Sequence, residues 1–144
     1  MDATEARNIQ VVRTYFDGCN SGDIDLLMST CAPEVNHYFL PSSFAPIEGA
    51  EALAQYWRWW KENLDPIWAH DHMIAMGDEV VAEWSLIYTP SGTSERLINR
   101  GTEWYVMRDS RIVEVRAYFI ASSKYSIQLA TFPYGERGYL SAPT

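Results

Sequence analysis

The first twenty residues carry apolar side chains at the spacing of an amphipathic helix. Asp2 can cap such a helix, and Glu5 follows three residues later, as in a capping box. The apolar stripe recurs every three or four residues, at Ile9, Val12, Phe16 and Cys19. The pattern predicts a first helix over residues 2–19, ended by a polar turn at residues 20–22.

Two further helices and one strand are predicted before residue 65. Asp23 can cap a short helix that Pro33 stops, and residues 35–40 favour a strand. Residues 41–49 contain two Pro and two Ser and are expected to form a loop. Residues 50–64 form the clearest helical pattern, with one apolar stripe at Leu53, Trp57, Trp60 and Leu64.

After residue 66 the hydrophobic period changes from 3.6 to 2, which is the period of β-strands. Four runs of this kind cover residues 67–76, 79–88, 96–107 and 111–120. Turn-forming residues separate them, at Gly77-Asp78, Pro90-Ser91-Gly92 and Asp109-Ser110. Consecutive hairpins of this kind predict an antiparallel meander.

Three helices followed by a long meander predict an α+β fold, because the helices must bury their apolar stripes on one face of the sheet. We expect a cone-shaped, strongly curved mixed or antiparallel sheet, wrapped around the three N-terminal helices and enclosing a pocket. The chain is interpreted as a single domain over residues 1–144, with residues 122–144 as a C-terminal tail. A short helix is expected near Ser126.

Composition narrows the function classes. The net charge of −8 argues against nucleic acid and against an anionic membrane surface, since both need clustered Lys and Arg. Two cysteines and no segment resembling a signal peptide favour a cytoplasmic location. Six Trp and nine Tyr exceed what a core of this size needs, and such residues often line ligand pockets.

The order of elements, and two sequence segments, resemble the nuclear transport factor 2-like superfamily. Residues 15–25 are similar to that superfamily's first helical corner, and residues 111–119 to its last strand. The resemblance covers about residues 5–121 and implies the fold rather than one activity, because the fold serves many functions. Its members include ketosteroid isomerase, limonene epoxide hydrolase, dehydratases, SnoaL-like polyketide cyclases and non-catalytic binding modules.

The resemblance implies catalytic positions. Against the dehydratases, Tyr15, Asn20 and His72 fall at the positions of a tyrosine, an acidic residue and a histidine, although an Asn cannot stabilise an imidazolium. Against ketosteroid isomerase, Tyr15 again matches the catalytic tyrosine, and Glu103 falls at or near the hydrogen-bonding acid. The acid that shuttles the proton in that enzyme has no counterpart here, because its position falls near Phe39. Limonene epoxide hydrolase uses two acidic residues and one arginine. In this chain Leu86 and Ala117 stand near the positions of the acids, and Trp84 stands near that of the arginine.

His72 is the predicted general base, since a neutral imidazole suits proton transfer near pH 7. Tyr15 and Glu103 are the predicted proton donors, and Asn20 is expected to orient His72. Strand alternation is expected to place His70 and His72 on one face, where they could also chelate a metal with a third ligand. We expect no metal and no cofactor, because the relatives named above need none.

The ligand-binding prediction rests on aromatic and polar residues of the expected inner faces. For each of these residues the alternative is a purely structural role, at a half-exposed position or in the core. The predicted substrate-binding residues are His37, Phe39, Trp57, Trp60, His70, Trp84 and Asn99.

Together these features predict a cofactor-independent enzyme that acts on a small, largely apolar organic molecule by acid–base dehydration, cyclisation or isomerisation. The alternative is a non-catalytic ligand-binding or dimerising module. A homodimer is expected through an outer sheet face that carries Ile112, Glu114, Arg116, Tyr118 and Ile120. Phe132, Tyr134 and Tyr139 of the tail are expected to be buried against the domain itself or the partner subunit. The tail would then either close the cavity mouth or only cover a hydrophobic edge of the sheet.

Overall fold

The computed structural model describes residues 1–141 and has three helices and six strands in an α+β arrangement. The helices are α1 (Ala3–Ser21), α2 (Ile24–Thr30) and α3 (Ala50–Leu64). The strands are β1 (Cys31–Phe39), β2 (Ile47–Glu48), β3 (Ile67–Met76), β4 (Glu79–Tyr88), β5 (Leu97–Arg108) and β6 (Arg111–Phe119). The predicted fold class is confirmed, and the curved sheet is open rather than closed.

The ends of the helices follow local sequence signals. Asp2 and Glu5 form the predicted capping box at the start of α1. Gly22 ends that helix in the left-handed region, at a φ of 68°, which a glycine adopts without steric cost. Asp23 accepts a hydrogen bond from the backbone of Leu26 and caps α2. These short-range contacts explain why pattern reading located the helices.

The sheet has the strand order β2-β1-β6-β5-β4-β3. Strands β3 to β6 form the predicted antiparallel meander, and β1 joins it by parallel pairing with β6. β1 begins at Cys31, earlier than predicted, and Pro33 lies where its register with β6 shifts. The two-residue strand β2 falls in the predicted loop and pairs with β1.

The core lies between the helices and the inner face of the sheet. Alternate residues of β4 and β5 face inward, and all of them except the half-buried Gly101 are buried, while their neighbours face the other side. The inward set comprises Val80, Ala82, Trp84, Leu86 and Tyr88 on β4, and Asn99, Gly101, Glu103, Tyr105 and Met107 on β5. Helix α1 contributes Val12, Tyr15, Phe16 and Cys19 to the same core.

One member of the predicted outer row of β6 faces the other way. Ile112 is fully buried in the core, because the pairing between β5 and β6 shifts register after Val106. A register shift of this kind inverts which side chains share a face. Tyr118 and Ile120 are exposed as predicted.

The tail is ordered without regular structure through Ser141, as predicted, but it does not close the cavity. The rings of Phe132, Tyr134 and Tyr139 pack on one another on the outer face of the sheet, with centroids 4.8 to 5.8 Å apart. The guanidinium group of Arg100 lies 3.6 Å from the ring centroid of Tyr134, and the hydroxyl of Tyr139 donates to Glu83 over 2.8 Å. The expected helix near Ser126 does not form, and Ile127 instead bridges to Asn99.

The helices within residues 1–141 include none that is long and apolar enough to cross a membrane.

Candidate active site

A cavity of about 840 Å³ lies between α3 and the inner face of the sheet. Most of its wall is aromatic, and residues 121–125, at the start of the tail, form part of its rim. The aromatic lining residues are Phe39, Phe44, Tyr56, Trp57, Trp59, Trp60, Trp68, Trp84, Tyr88, Phe119 and Tyr125. Volume and lining match those of sites for small organic ligands.

Four tryptophans form a continuous wall from α3 to β4. The ring of Trp68 on β3 is central, with centroid distances of 5.3 Å to Trp57, 5.6 Å to Trp60 and 5.5 Å to Trp84. Tilted and edge-to-face contacts of this kind favour one fixed arrangement of the rings. Of the predicted substrate-binding residues, this places Trp57, Trp60 and Trp84 at the cavity, where Phe39 and Asn99 also lie.

Glu103 is the one acidic residue of the cavity lining within residues 1–141. It is 4% exposed, and burial raises the pKa of its carboxyl group from 4.5 to about 7. Its neighbours across the sheet are two alanines, Ala82 on β4 and Ala117 on β6. Because these side chains are small, the carboxyl group stays open to the cavity.

Tyr105, two residues after Glu103, donates its hydroxyl hydrogen to the Glu103 carboxyl group at Oε2. The two side chains share the inner face of β5, as strand alternation requires. Burial raises the pKa of Tyr105 well above its ordinary value, so its hydroxyl stays protonated and remains a donor. Sequence reasoning missed Tyr105, although its spacing from Glu103 was a sufficient signal.

Tyr15 lies behind Glu103 rather than in the cavity wall. Its hydroxyl oxygen accepts a hydrogen bond of 2.6 Å from the indole nitrogen of Trp57, and its ring packs edge-on against Tyr105 at 6.0 Å. It is buried, and burial raises its pKa well above the ordinary value. The structure therefore brings Tyr15 and Glu103 into one cluster, with Tyr105 and Trp57 between Tyr15 and the cavity.

His72 does not join this cluster. Pairing between β3 and β4 shifts register between His70 and His72, and this bulge reverses the alternation of β3. Trp68 and Met73 therefore both pack on the core, while His72 points outward, 61% exposed, with Nδ1 3.4 Å from Oε1 of Glu83. The expectation that His70 and His72 share a face is wrong.

His70 and Asn20 both pack where α1 meets β3. The ring of His70 lies 5.2 Å from that of Phe16, and its Nε2 atom lies 3.2 Å from Nη1 of Arg13. Burial, and to a lesser extent the positive charge of Arg13, lower the pKa of His70. The side chain of Asn20 donates a hydrogen bond of 2.9 Å to the backbone carbonyl oxygen of Trp68 and accepts one of 2.7 Å from the backbone N–H of Trp68. Asn20 thus joins α1 to the start of β3 and does not orient His72, and neither His70 nor Asn20 lines the cavity.

Several polar groups of the cavity wall have no hydrogen-bond partner in the described part of the chain. They are the indole nitrogens of Trp60, Trp68 and Trp84 and the Oδ1 atom of Asn99. The Nδ2 atom of Asn99 donates to the carbonyl oxygen of Ile120 over 3.3 Å. Unpaired buried polar atoms are rare in folded proteins. These four atoms are buried within the wall, so a polar ligand atom reaches them only when the side chains that carry them turn toward the cavity.

A second, smaller cavity of about 370 Å³ lies on the outer face, between the sheet and the tail. Trp84 and Phe119 line both cavities, with ring centroids 6.1 Å apart. The two rings therefore separate the larger cavity from the smaller one, at the end of the sheet where β6 stops.

Comparison with known proteins identifies the class. The sequence profile of the SnoaL-like domain matches residues 12–115, so the chain belongs to the SnoaL-like domain family. None of the curated proteins matches the chain.

Solved structures show the same fold. A Methylobium petroleophilum protein of unknown function with a cystatin-like fold is 28% identical, with a TM-score of 0.72 over 97% of this chain and 95% of its own. A candidate SnoaL-like polyketide cyclase from Jannaschia is 19% identical, with a TM-score of 0.72 over 82% and 88% of the two chains. An epoxide hydrolase of the LEH type from Mycobacterium tuberculosis is 17% identical, with a TM-score of 0.70 over 81% and 84%.

Proposed function

We propose that this SnoaL-like protein is an enzyme that moves a proton on a small, flat, largely apolar organic molecule, with Glu103 as the group that takes and returns the proton. The observation that carries the proposal is the single buried carboxyl group in the wall of an aromatic cavity. With a pKa of about 7, that group is present in both protonation states near neutral pH, as a general acid–base catalyst needs. Cyclisation, isomerisation and dehydration all use such a step.

The first half of the reaction is the removal of a proton from a carbon next to a carbonyl group. The ionised Glu103 takes this proton and becomes a neutral acid, while the electron pair of the C–H bond moves to the carbonyl oxygen as an enolate. The indole N–H groups of Trp60, Trp68 and Trp84 are unpaired but buried, so they become candidate donors to that oxygen when their rings turn toward the ligand. The aromatic wall limits water around the enolate and so strengthens each hydrogen bond to it.

The second half returns the proton and restores Glu103. Delivery to another carbon of the enolate gives an isomer, and delivery to a departing hydroxyl group gives an alkene and water. In a cyclisation, the enolate carbon attacks a second carbonyl group and Glu103 protonates the resulting alkoxide. Tyr105 keeps the carboxyl group in place throughout, because its own hydroxyl stays protonated.

Epoxide hydrolysis is less well supported by the lining. Leu86, Trp84 and Ala117, where the sequence resemblance to limonene epoxide hydrolase would require ionisable groups, all line the cavity. None of these side chains can ionise.

The alternative, a binding module without catalysis, is favoured by one observation. Three of the four predicted catalytic residues, His72, Tyr15 and Asn20, lie outside the cavity lining. A binding module would need the aromatic wall and not the acid–base group.

Deuterium exchange separates the two functions. Compounds with an enolisable ketone and a flat apolar body are first selected by quenching of tryptophan fluorescence, then incubated with the protein in deuterated buffer. We expect wild-type protein to introduce deuterium next to the ketone and Glu103→Gln to lose this activity by about 10²-fold or more while retaining binding. Glu83→Gln, on the outer face, is the matched control and should exchange as wild type does. Equal exchange by wild type and Glu103→Gln, or binding without any exchange, would support the binding module.

A further inference from the structure

His37 is a buried imidazole whose hydrogen bonds are unaccounted for. It lies on β1 with 0% exposure, stacked on Phe39 at 4.2 Å and edge-on to Trp57 at 5.7 Å. Neither ring nitrogen makes a hydrogen bond of ordinary geometry among residues 1–141, although the nearby backbone of Tyr38 raises the pKa of the ring in part, against the larger lowering by burial. Leaving a buried polar group unpaired is costly, so a partner that forms in one state of the protein is expected.

The polar atom that faces it is the free oxygen of Glu103. Nε2 of His37 lies 3.9 Å from Oε1 of Glu103, while Tyr105 holds the other carboxyl oxygen. His37 pairs with Val115 on β6, and Glu103 pairs with Ala117 two residues further along. The two side chains therefore approach each other diagonally across β6, beside the small side chain of Ala117. His37 itself does not line the cavity, so the structure does not place it among the substrate-binding residues as the sequence predicted.

Among residues 1–141, no cationic side chain is placed beside His37 and Glu103 to donate to the free carboxyl oxygen. Helix α1 presents Tyr15 and Cys19 to the carboxyl group, β5 presents Tyr105, and the neighbouring positions on β4 and β6 are alanines. Within residues 1–141, Lys124 at the rim is the one cationic side chain of the cavity lining. His37 presents an unpaired ring nitrogen to Oε1, at 3.9 Å.

We propose that His37 is a positioning residue for Glu103: its neutral imidazole donates the Nε2 hydrogen to Oε1 when the carboxyl group ionises, and the gap of 3.9 Å closes to a hydrogen bond. The carboxylate is then held by two neutral donors, Tyr105 at one oxygen and His37 at the other. Its role in turnover rests on the proposed function, whereas the contact itself can be tested without a substrate.

A neutral donor suits this task better than a charged one. Burial lowers the pKa of His37 to about 3, so the ring stays neutral at the pH values where Glu103 titrates. An arginine in its place would favour the carboxylate strongly and leave it a weak base. A neutral imidazole fixes the direction of the carboxylate and keeps its basicity near neutrality.

Two variants test the contact. His37→Phe keeps an aromatic ring beside Phe39 and Trp57 and removes the donor, while His37→Gln retains a donor. The probe is the carboxyl ¹³C signal of Glu103, assigned by its loss in Glu103→Gln. We expect the titration midpoint of Glu103 to rise by about one pH unit in His37→Phe, because the ionised form loses a hydrogen bond, and to return toward the wild-type value in His37→Gln.

The wild-type protein offers a second readout that needs no variant. With three histidines in the chain, ¹⁵N spectra can resolve His37, and we expect a neutral ring with its hydrogen on Nε2 from pH 5 to 8. An unchanged Glu103 midpoint in a folded His37→Phe protein, or a hydrogen on Nδ1, would overturn the proposal. If His37→Phe does not fold, the ¹⁵N result decides alone. A shifted midpoint together with full exchange activity in Glu103→Gln would uphold the contact and reject the proposed function.

Discussion

The indole ring of Trp84 occupies the space where a side chain at position 101 would lie. Gly101 faces Trp84 across the pairing of β4 and β5, and a Cβ atom there would be 2.5 Å from Cζ2 of Trp84 and 2.8 Å from the carbonyl oxygen of Tyr118. The glycine thus lets the partition ring between the two cavities lie flat on β5. Trp84 and Gly101 together set the size of the larger cavity at this end.

Gly101→Ala should therefore destabilise the protein. The backbone oxygen of Tyr118 cannot move away cheaply, so overpacking should lower the free energy of unfolding by about 1–3 kcal/mol. Chemical denaturation measures this, with Gly135→Ala as control, since a Cβ there meets only Oγ of Ser141 at 3.3 Å. Equal stability of the two variants would show that Trp84 can leave this position freely.

Tyr15→Phe tests the hydrogen bond between α1 and α3. The change keeps the ring and removes the hydroxyl, so the indole nitrogen of Trp57 loses its partner at 2.6 Å in a buried site. We expect a loss of about 1–3 kcal/mol in the free energy of unfolding. Tyr38→Phe, at an exposed tyrosine, is the matched control and should change stability little. A Tyr15→Phe protein as stable as this control would contradict the structural role of the bond.

The raised pKa of Glu103 predicts a pH dependence of stability. Between pH 4.5 and 7 the unfolded chain loses the Glu103 proton while the folded chain keeps it, so this group makes stability fall as pH rises through that window. Glu103→Gln removes the effect. We therefore expect Glu103→Gln to gain about 3 kcal/mol relative to wild type between pH 4 and pH 8, measured by urea denaturation at each pH. Parallel pH profiles for the two proteins would mean that the carboxyl group is not desolvated.

Removal of residues 131–144 tests the place of the tail. The deletion removes the aromatic cluster and its contacts with Arg100 and Glu83, and should lower the melting temperature by roughly 5 °C or more. Binding of an apolar fluorescent ligand in the larger cavity should change little, because the tail residues of its lining end at Tyr125. Lost binding at an unchanged melting temperature would restore the lid function expected from the sequence.

The homodimer remains a prediction. The tail covers the outer face of β3 to β5 in part, and Trp104 and Tyr118 remain exposed on the rest of that face. Light scattering at micromolar concentration should return about twice the chain mass of 16.5 kDa, and Tyr118→Lys should shift the protein toward the monomer. A wild-type mass of 16.5 kDa would refute the expectation.

The sequence by itself determined the three helices, the four long strands of the meander and part of the cavity wall. The bounds of α3, β3 and β4 follow from hydrophobic period and from turn residues, which act over a few positions. The resemblance to ketosteroid isomerase indicated Glu103 as a site residue, and the structure places it on the inner face of β5, where burial raises its pKa.

Only the tertiary structure decided which polar residues meet. A bulge between His70 and His72 depends on how β3 pairs with β4, and one extra residue reverses every later side chain of the strand. The approach of His37 to Glu103 depends on parallel pairing of β1 with β6, which joins strands far apart in the sequence. The local period of apolar residues does not predict these pairings, because they depend on how the whole sheet packs against its helices.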